Sequence, residues 1–234
     1  MGSCLPLLLK FSGFIIELNG GEYMECSIHP YREYIPENAS KLIIGTIPPF
    51  RFCVSGEKRL YPRDIDFYYG SRDNGFWSLM SEVTQVKLNY ENTKKAVDQR
   101  KRLLKELNAG ITDIVEKCIH KDGKSDDASL EILELKDLNK LLLNYPNIEE
   151  LIYTSIFVAR QVSKIADKKR HAWSREDPKR GHVVINQVKY PVTVLYSPSP
   201  NALRGVSKEK RLEQYRAVFG VNQLFTYPET PGQL

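Results

Sequence analysis

Residues 41–46 (KLIIGT) are the stretch that decides the fold of this chain. The run is short, apolar and β-branched, and it ends at a glycine that is soon followed by Pro48 and Pro49. Such a run is typical of a buried strand that delivers a loop at its carboxyl end. We therefore predict a core strand over these residues and a rigid loop directly after it.

Two further runs have the same character, residues 150–155 (ELIYTS) and residues 192–196 (VTVLY). Helical patterns surround these strands at residues 93–108, 130–143, 157–166 and 207–219. Strands that alternate with helices predict an α/β fold with a mostly parallel sheet covered on both faces. Ligands of such sheets bind outside the carboxyl ends of the strands, so the loops that follow the strands are the first place to look for a site.

The bulk properties fit one soluble globular domain. A chain of 234 residues is within the size of a single core, and its 41% hydrophobic and 27% charged residues are an ordinary balance. The formal charge of +5 suits a polyanion partner without requiring one. The four cysteines have neither the paired spacing of a metal site nor the density of a disulfide scaffold, so we predict no metal and a reducing cytoplasm.

Residues 1–23 are interpreted as an N-terminal extension, and residues 24–234 as the domain. The extension contains an apolar stretch similar to a signal-peptide core, but no basic residue precedes it and Lys10 interrupts it. The stretch is also too short to span a bilayer, so we predict no membrane partner. A tail translated from an early start codon, with Met24 as the effective start, and an added strand or helix are both open interpretations.

Three motifs carry the chemistry. Residues 45–49 (GTIPP) follow the first core strand, and residues 197–201 (SPSPN) follow the last one. Between them, residues 68–77 (YYGSRDNGFW) bring four aromatic side chains, one amide and several turn residues into a single stretch. Each motif alone is weak, because Gly and Pro after a strand also make ordinary turns. Together and in this order they form a specific pattern.

This pattern resembles the uracil-DNA glycosylase superfamily. Its members have a Gly-x-x-Pro loop after the first core strand, an Asn-x-Phe-Trp segment that begins the next helix, and a Ser-Pro-rich loop after the last strand. The match extends from about residue 29 to residue 200, most of the chain after Met24. The resemblance implies a three-layer α/β/α sandwich with a four-stranded, mainly parallel sheet. It also implies a monomeric, monofunctional DNA glycosylase of base excision repair that needs no cofactor and has DNA as its partner.

Within the superfamily, the uracil-specific branch has an Asp third in the first motif and a His at the start of the last. This chain has Ile47 and Ser197 at those positions. An apolar third residue, a Tyr-Tyr pair and a leading Ser are similar to the hypoxanthine-DNA glycosylase branch, in which the Asn of Asn-x-Phe-Trp is catalytic. The carried-over residue is Asn74. That branch commonly reads His-Pro-Arg-Asn, whereas residues 71–74 read SRDN, so Asp73 stays an alternative water activator.

The chemistry of the reaction gives these residue types a physical sense. Cleaving an N-glycosidic bond develops positive charge on the sugar and negative charge on the base, so the site needs a stacking platform, donors to the base and a positioned water. An amide both donates and accepts, and hydroxyls in rigid loops hold phosphates. The candidates are Asn74 and Asp73 as catalytic groups, and Gly45, Thr46, Ile47, Pro48, Tyr69, Phe76, Ser197, Ser199 and Asn201 as substrate-binding groups.

The candidate DNA-binding groups are Leu203, Arg204, Lys208 and Arg211. Leu203 or Arg204 fills the gap left by an extruded nucleotide, although Leu203 is equally well interpreted as a helix-capping core contact. The last helix, and the basic loop at residues 168–180 around Trp173, either follow a phosphate backbone or are solvated faces. The lone histidines are interpreted as structural or exposed groups.

Hypoxanthine is the leading substrate, and uracil is the second choice within the same class. A non-catalytic nucleic-acid-binding module with the same fold is the competing hypothesis, favoured by the missing Asp and His of the uracil branch. An unrelated nucleotide-binding α/β protein is disfavoured, because the chain has neither a Gly-x-x-x-x-Gly-Lys loop nor a Gly-x-Gly-x-x-Gly turn.

Overall fold

The computed structural model describes residues 14–17, 23–53, 58–121, 129–168, 170–199, 202 and 205–220, with the backbone alone for residues 14–17 and 23–25. The strands are β1 (Phe14–Glu17), β2 (Tyr23–Ile28), β3 (Lys41–Gly45), β4 (Ala109–Asp113), β5 (Val115–His120), β6 (Leu130–Leu135), β7 (Glu150–Tyr153), β8 (Ala172–Trp173), β9 (Arg180–Ile185) and β10 (Val188–Val194). The helices are α1 (Phe50–Cys53), α2 (Phe76–Thr84), α3 (Lys94–Glu106), α4 (Leu138–Asn144), α5 (Ile156–Ile165) and α6 (Lys208–Phe219).

The main sheet has six described strands in the order β4-β3-β7-β10-β9-β8. The first four are parallel, whereas β9 and β8 are antiparallel additions at the edge. The prediction of a four-stranded sheet is therefore wrong in size, although the parallel core has four strands. The reason is a tight turn at Asn186 and Gln187, both with positive φ, which folds β9 back onto β10 as a hairpin.

The strand predicted first, β3, is confirmed as a buried core strand of the sheet. Leu42, Ile43 and Ile44 are fully buried, because helices cover both faces of the sheet. Leu42 and Ile44 pack in one core cluster with side chains of α4 and α5, and Ile43 packs in the other with side chains of α2, α3 and α6. The chain places β4 on one side of β3 and β7 on the other, which opens a crevice at the carboxyl ends of the strands.

Residues 130–135 form a strand and not the start of a helix, so the helix predicted over residues 130–143 is wrong at its beginning. This strand, β6, pairs with β5 in a second, antiparallel sheet of the order β1-β2-β5-β6. Cross-strand ion pairs, one of them between Lys117 and Glu134, support the pairing. The helix begins only at α4, where the Asp137 side chain accepts a hydrogen bond from the Lys140 backbone N–H at 2.9 Å.

Three cysteines, Cys26, Cys53 and Cys118, are buried free thiols, and Cys4 lies outside the described residues. Burial raises the pKa of Cys118 to about 12. In the described ranges, no helix is both long enough and apolar enough to cross a membrane.

Candidate active site

A cavity of about 850 Å³ lies at the carboxyl edge of the parallel strands. Its walls come from the loop after β3, the segment before α2, the ends of β4 and β7, and the loop after β10. The structure thus brings the three sequence motifs to one pocket. The predicted site residues that line it are Thr46, Ile47, Pro48, Tyr69, Asp73, Asn74, Ser197, Ser199 and Arg211. Asn201, Leu203 and Arg204 lie outside the described residues.

Asn74 is held where the segment before α2 enters the helix. Its Oδ1 accepts a hydrogen bond from the Phe76 backbone N–H at 2.9 Å, and its own N–H donates to the Ser71 carbonyl at 2.9 Å. The next amide, Gly75 N–H, donates to the Pro198 carbonyl at 3.0 Å and ties this segment to the loop after β10. Because Oδ1 is engaged by the Phe76 N–H, the side-chain NH₂ is the group that Asn74 offers to a substrate.

Asp73 has a different environment. Its side chain is 59% exposed, and its carboxylate lies 3.7 Å from Arg51 Nη2 and 3.9 Å from Arg72 Nε. Two guanidinium groups therefore compete for the lone pairs that would accept a proton from water. Asp73 lines the cavity, but it is a weakly placed base.

Asp113 is the site residue that sequence reasoning missed. It ends β4, lines the cavity, and has a side chain only 6% exposed. A Cβ atom on Gly45 would lie 2.0 Å from Asp113 Oδ1 and 2.2 Å from the Tyr69 hydroxyl oxygen, so glycine is required at residue 45 for this approach. Gly45 itself does not line the cavity. Its part is to leave room for the carboxylate.

His29 holds the other oxygen of this carboxylate, with Nε2 2.8 Å from Asp113 Oδ2. On the far side of the ring, Nδ1 lies 3.1 Å from the Tyr31 N–H and 3.3 Å from Lys136 Nζ, both of which are donors. The Tyr31 carbonyl lies 2.9 Å from the same nitrogen and accepts a hydrogen bond from Lys136 Nζ at 3.1 Å. Nδ1 thus has both donors and an acceptor around it, whereas Nε2 faces only a carboxylate oxygen, so a ring proton is assigned to Nε2, which donates to Asp113.

Lys136 places a cation behind this array. Burial lowers the pKa of its ammonium group, and the nearby carboxylates of Asp113 and Glu116 oppose that shift. Its Nζ lies 3.9 Å from Glu116. His29, expected to be structural or exposed, thus links the pocket carboxylate to a half-buried lysine. The signal available in the sequence was a single Asp at a strand end, without any indication of its partner.

Tyr69 is the aromatic platform of the cavity. Its hydroxyl donates to Thr154 Oγ1 at 2.7 Å, and its ring stacks on Phe76 with centroids 4.4 Å apart. Phe76 is fully buried and does not line the cavity, so the prediction that it contacts substrate is wrong. The first residue of α2 points into the core and supports Tyr69 from below.

The last loop is braced from beneath by Arg211. This residue is 2% exposed, and its Nη2 donates to the Ala202 carbonyl at 2.6 Å. It is therefore not the exposed phosphate contact that the basic helix pattern indicated, although it lines the cavity. Lys208 is exposed and pairs with Glu82 at 2.8 Å. In the same loop, Ser199 N–H donates to Ser197 Oγ at 3.2 Å.

In the part of the chain that the structure describes, no cluster of His, Cys, Asp and Glu is placed to hold a metal ion. No protein-family model matches the sequence. No curated protein matches it either.

Among solved structures, the chain is similar to a protein from Methanosarcina acetivorans that was solved by solution NMR and is provisionally named a uracil DNA glycosylase. The TM-score is 0.55 at 18% sequence identity, and the match covers 83% of this chain and 96% of that chain. The chain therefore shares the α/β fold of that protein over most of its length.

Proposed function

We propose that the protein is a monofunctional DNA glycosylase that hydrolyses the N-glycosidic bond of a deaminated base, with hypoxanthine as the leading substrate and uracil as the second. One observation carries the proposal. Asn74, Tyr69 and the buried Asp113 line one cavity of about 850 Å³, within the usual size of a small-ligand site. The fold that the chain shares with a protein named as a glycosylase supports it.

The two polar groups match what deamination creates. Deamination replaces an exocyclic amine and a ring-nitrogen lone pair by a carbonyl and a ring N–H. The Asn74 NH₂ donates to that carbonyl, and Asp113 accepts the ring N–H. Adenine or cytosine would turn a lone pair toward the carboxylate and leave both groups unpaired, which a buried site rejects strongly.

The same groups serve the leaving base. As the bond breaks, negative charge grows on the base, and the Asn74 amide donor stabilises it in place of water. Asp113 alone would oppose that charge, but the Lys136 cation behind His29 offsets it. Tyr69 holds the base plane by stacking. The attacking water is positioned by acceptor atoms at the rim, where Asp73 is the available side chain, and positioning rather than strong base catalysis supplies its part of the rate.

Incubating the protein with labelled oligonucleotides that contain hypoxanthine, uracil or xanthine, followed by alkaline cleavage of abasic sites, tests the proposal. We expect strand scission at hypoxanthine and none at adenine in the matched oligonucleotide. Asn74→Ala and Asp73→Ala are the paired variants, because they separate the amide from its neighbouring carboxylate. DNA binding without release of any base would favour the non-catalytic binding module instead.

A further inference from the structure

We propose that an arginine–tyrosine surface beside the cavity, formed by Arg51, Arg59, Tyr61, Arg63 and Arg72, holds the DNA backbone next to the extruded nucleotide. The proposal rests on the proposed function and adds to it the path of the DNA. The sequence motifs drew attention to the last helix and to the loop at residues 168–180, and not to this surface.

The centre of the surface is an exposed aromatic ring between cations. Tyr61 is 47% exposed, and its ring centroid lies 4.5 Å from the Cζ atoms of both Arg51 and Arg72. Guanidinium groups over an aromatic face are held by the ring quadrupole and keep their outer N–H donors available for phosphate oxygens.

A buried carboxylate fixes this arrangement. Asp64 is fully buried, and it accepts hydrogen bonds from Arg51 Nε and Nη2 at 2.8 and 3.0 Å. It also accepts from the backbone N–H groups of Tyr61 and Arg72, both at 2.8 Å. Burial raises the pKa of Asp64, but the Arg51 and backbone hydrogen bonds outweigh this effect and lower it overall. The loop that carries Tyr61 is thereby clamped to the segment before Asn74, which reduces the ordering cost of binding.

The surface is continuous with the cavity. Arg51 Nη2 donates to Ser71 Oγ at 2.8 Å, and Arg51, Ser71 and Asp73 all line the cavity. Arg72 comes directly before Asp73 in the chain. A nucleotide whose base enters the cavity leaves its flanking phosphates at the rim, where these guanidinium groups lie.

Two of the four arginines of this surface have carboxylate neighbours, since Arg51 pairs with Asp64 and both Arg51 and Arg72 lie near Asp73. The charge of the other two is not cancelled. Residues 58–63 (KRLYPR) contain three cations and no acid. Lys58 pairs with Asp66, whereas Arg59 and Arg63 are exposed and form no ion pair with any carboxylate in the described ranges. A phosphodiester backbone supplies the acceptors that these arginines lack. Of the two surfaces expected from the sequence, the last helix has its Arg211 buried, and in the loop at residues 168–180 Arg180 lies 3.5 Å from Asp177.

The test is a triple variant, Arg59→Gln with Arg63→Gln and Arg72→Gln. These side chains do not anchor the fold, since the Arg72 contact to Asp64 uses the backbone N–H. The matched control removes three exposed charges from the other basic surface through Lys168→Gln, Arg170→Gln and Arg175→Gln. Affinity for a fluorescein-labelled oligonucleotide with a tetrahydrofuran abasic analogue is measured by anisotropy over a range of NaCl concentrations, and thermal melting checks the fold.

For the triple variant we expect a Kd raised roughly tenfold or more at low salt, and a slope of log K against log salt reduced by about 2. The control variant should stay within a few-fold of the unmodified protein. An equal loss of DNA affinity in both variants, or a loss of affinity in the control alone, would refute the proposal that this surface holds the DNA backbone. If no base is released from any lesion but the triple variant alone loses affinity, the glycosylase function fails and the surface stands. If the unmodified protein releases a base but the Kd of the triple variant is unchanged, the proposed surface is refuted and the glycosylase function stands.

Discussion

The substitution Asp113→Asn tests the proposal that the cavity distinguishes a deaminated base from a normal one. The variant is nearly isosteric, and His29 Nε2–H still needs an acceptor, so the amide oxygen of the variant stays on His29 at the position now 2.8 Å away. Its NH₂ then takes the place of Asp113 Oδ1 beside Gly45. A ring N–H of the base, which in the proposed complex meets the carboxylate acceptor, would meet an NH₂ donor in the variant.

The magnitude follows from that exchange. A hydrogen bond to a charged group contributes about 1.5–3 kcal/mol, and a buried donor left without an acceptor costs a similar amount. We expect the loss in transition-state stabilisation to be about 3 kcal/mol or more, which is roughly a 10²-fold drop in kcat/KM. Adenine, whose ring nitrogen carries a lone pair, should be rejected less strongly by the variant than by the unmodified protein.

Single-turnover base release from oligonucleotides with hypoxanthine or adenine is the assay. Asp113→Ala is the matched comparison, because it removes the acceptor without adding a donor. It should bring the ratio of the hypoxanthine rate to the adenine rate closer to one, without raising the rate of adenine release. Thermal melting separates misfolding from lost recognition, since the residue is buried. An Asp113→Asn variant with an unchanged rate on hypoxanthine would show that the carboxylate does not read the base.

Three further predictions concern the site and its support. Asn74→Ala should lower single-turnover base release by ~10² or more, while the Kd for DNA measured by anisotropy stays within a few-fold; full retained activity would contradict its role. Gly45→Ala should destabilise the fold by about 1–3 kcal/mol in urea unfolding, because the added Cβ meets Asp113 and Tyr69. Burial lowers the pKa of His120 to about 4 from 6.5, so the unfolded chain takes up the proton first as pH falls. The contribution of the neutral His120 to the free energy of unfolding is therefore complete above pH 6.5 and is lost toward pH 4. His120→Gln should reduce this loss by about 1–3 kcal/mol, as measured by urea unfolding at several pH values.

The parallel core could be predicted from the sequence because the residues that end its strands and begin its helices form local patterns. The strand β3 ends at a glycine, and α6 begins after Ser207, whose hydroxyl accepts from Lys210 N–H. The strand at residues 130–135 could not be predicted, since its leucines and isoleucine fit the period of a helix and that of a strand equally well. Pairing with β5, a partner brought in by the tertiary fold, decides between the two.

The residues of the candidate site also fall into those that a local motif predicts and those that depend on a distant partner. Asn74 and Tyr69 stand in a motif whose residues are adjacent in the chain. Asp113 depends on a partner, His29, that is 84 residues away in the sequence. No local pattern shows such a pair, and no pattern tells that Phe76 faces the core while Tyr69 faces the cavity. The direction of each side chain follows from packing.

The hydrogen bond from Gly75 N–H to the Pro198 carbonyl sets the distance between two of the loops that enclose the cavity. It joins two loops through main-chain atoms, so no exchange of side chains at these two positions alters the gap they set. If the cavity takes a base, as proposed, its dimensions would be adjusted at side chains that line it, such as Ile47 and Tyr69, or by the length of a loop. Under that proposal, a change of substrate would begin at these lining side chains and not at the backbone link between the two loops.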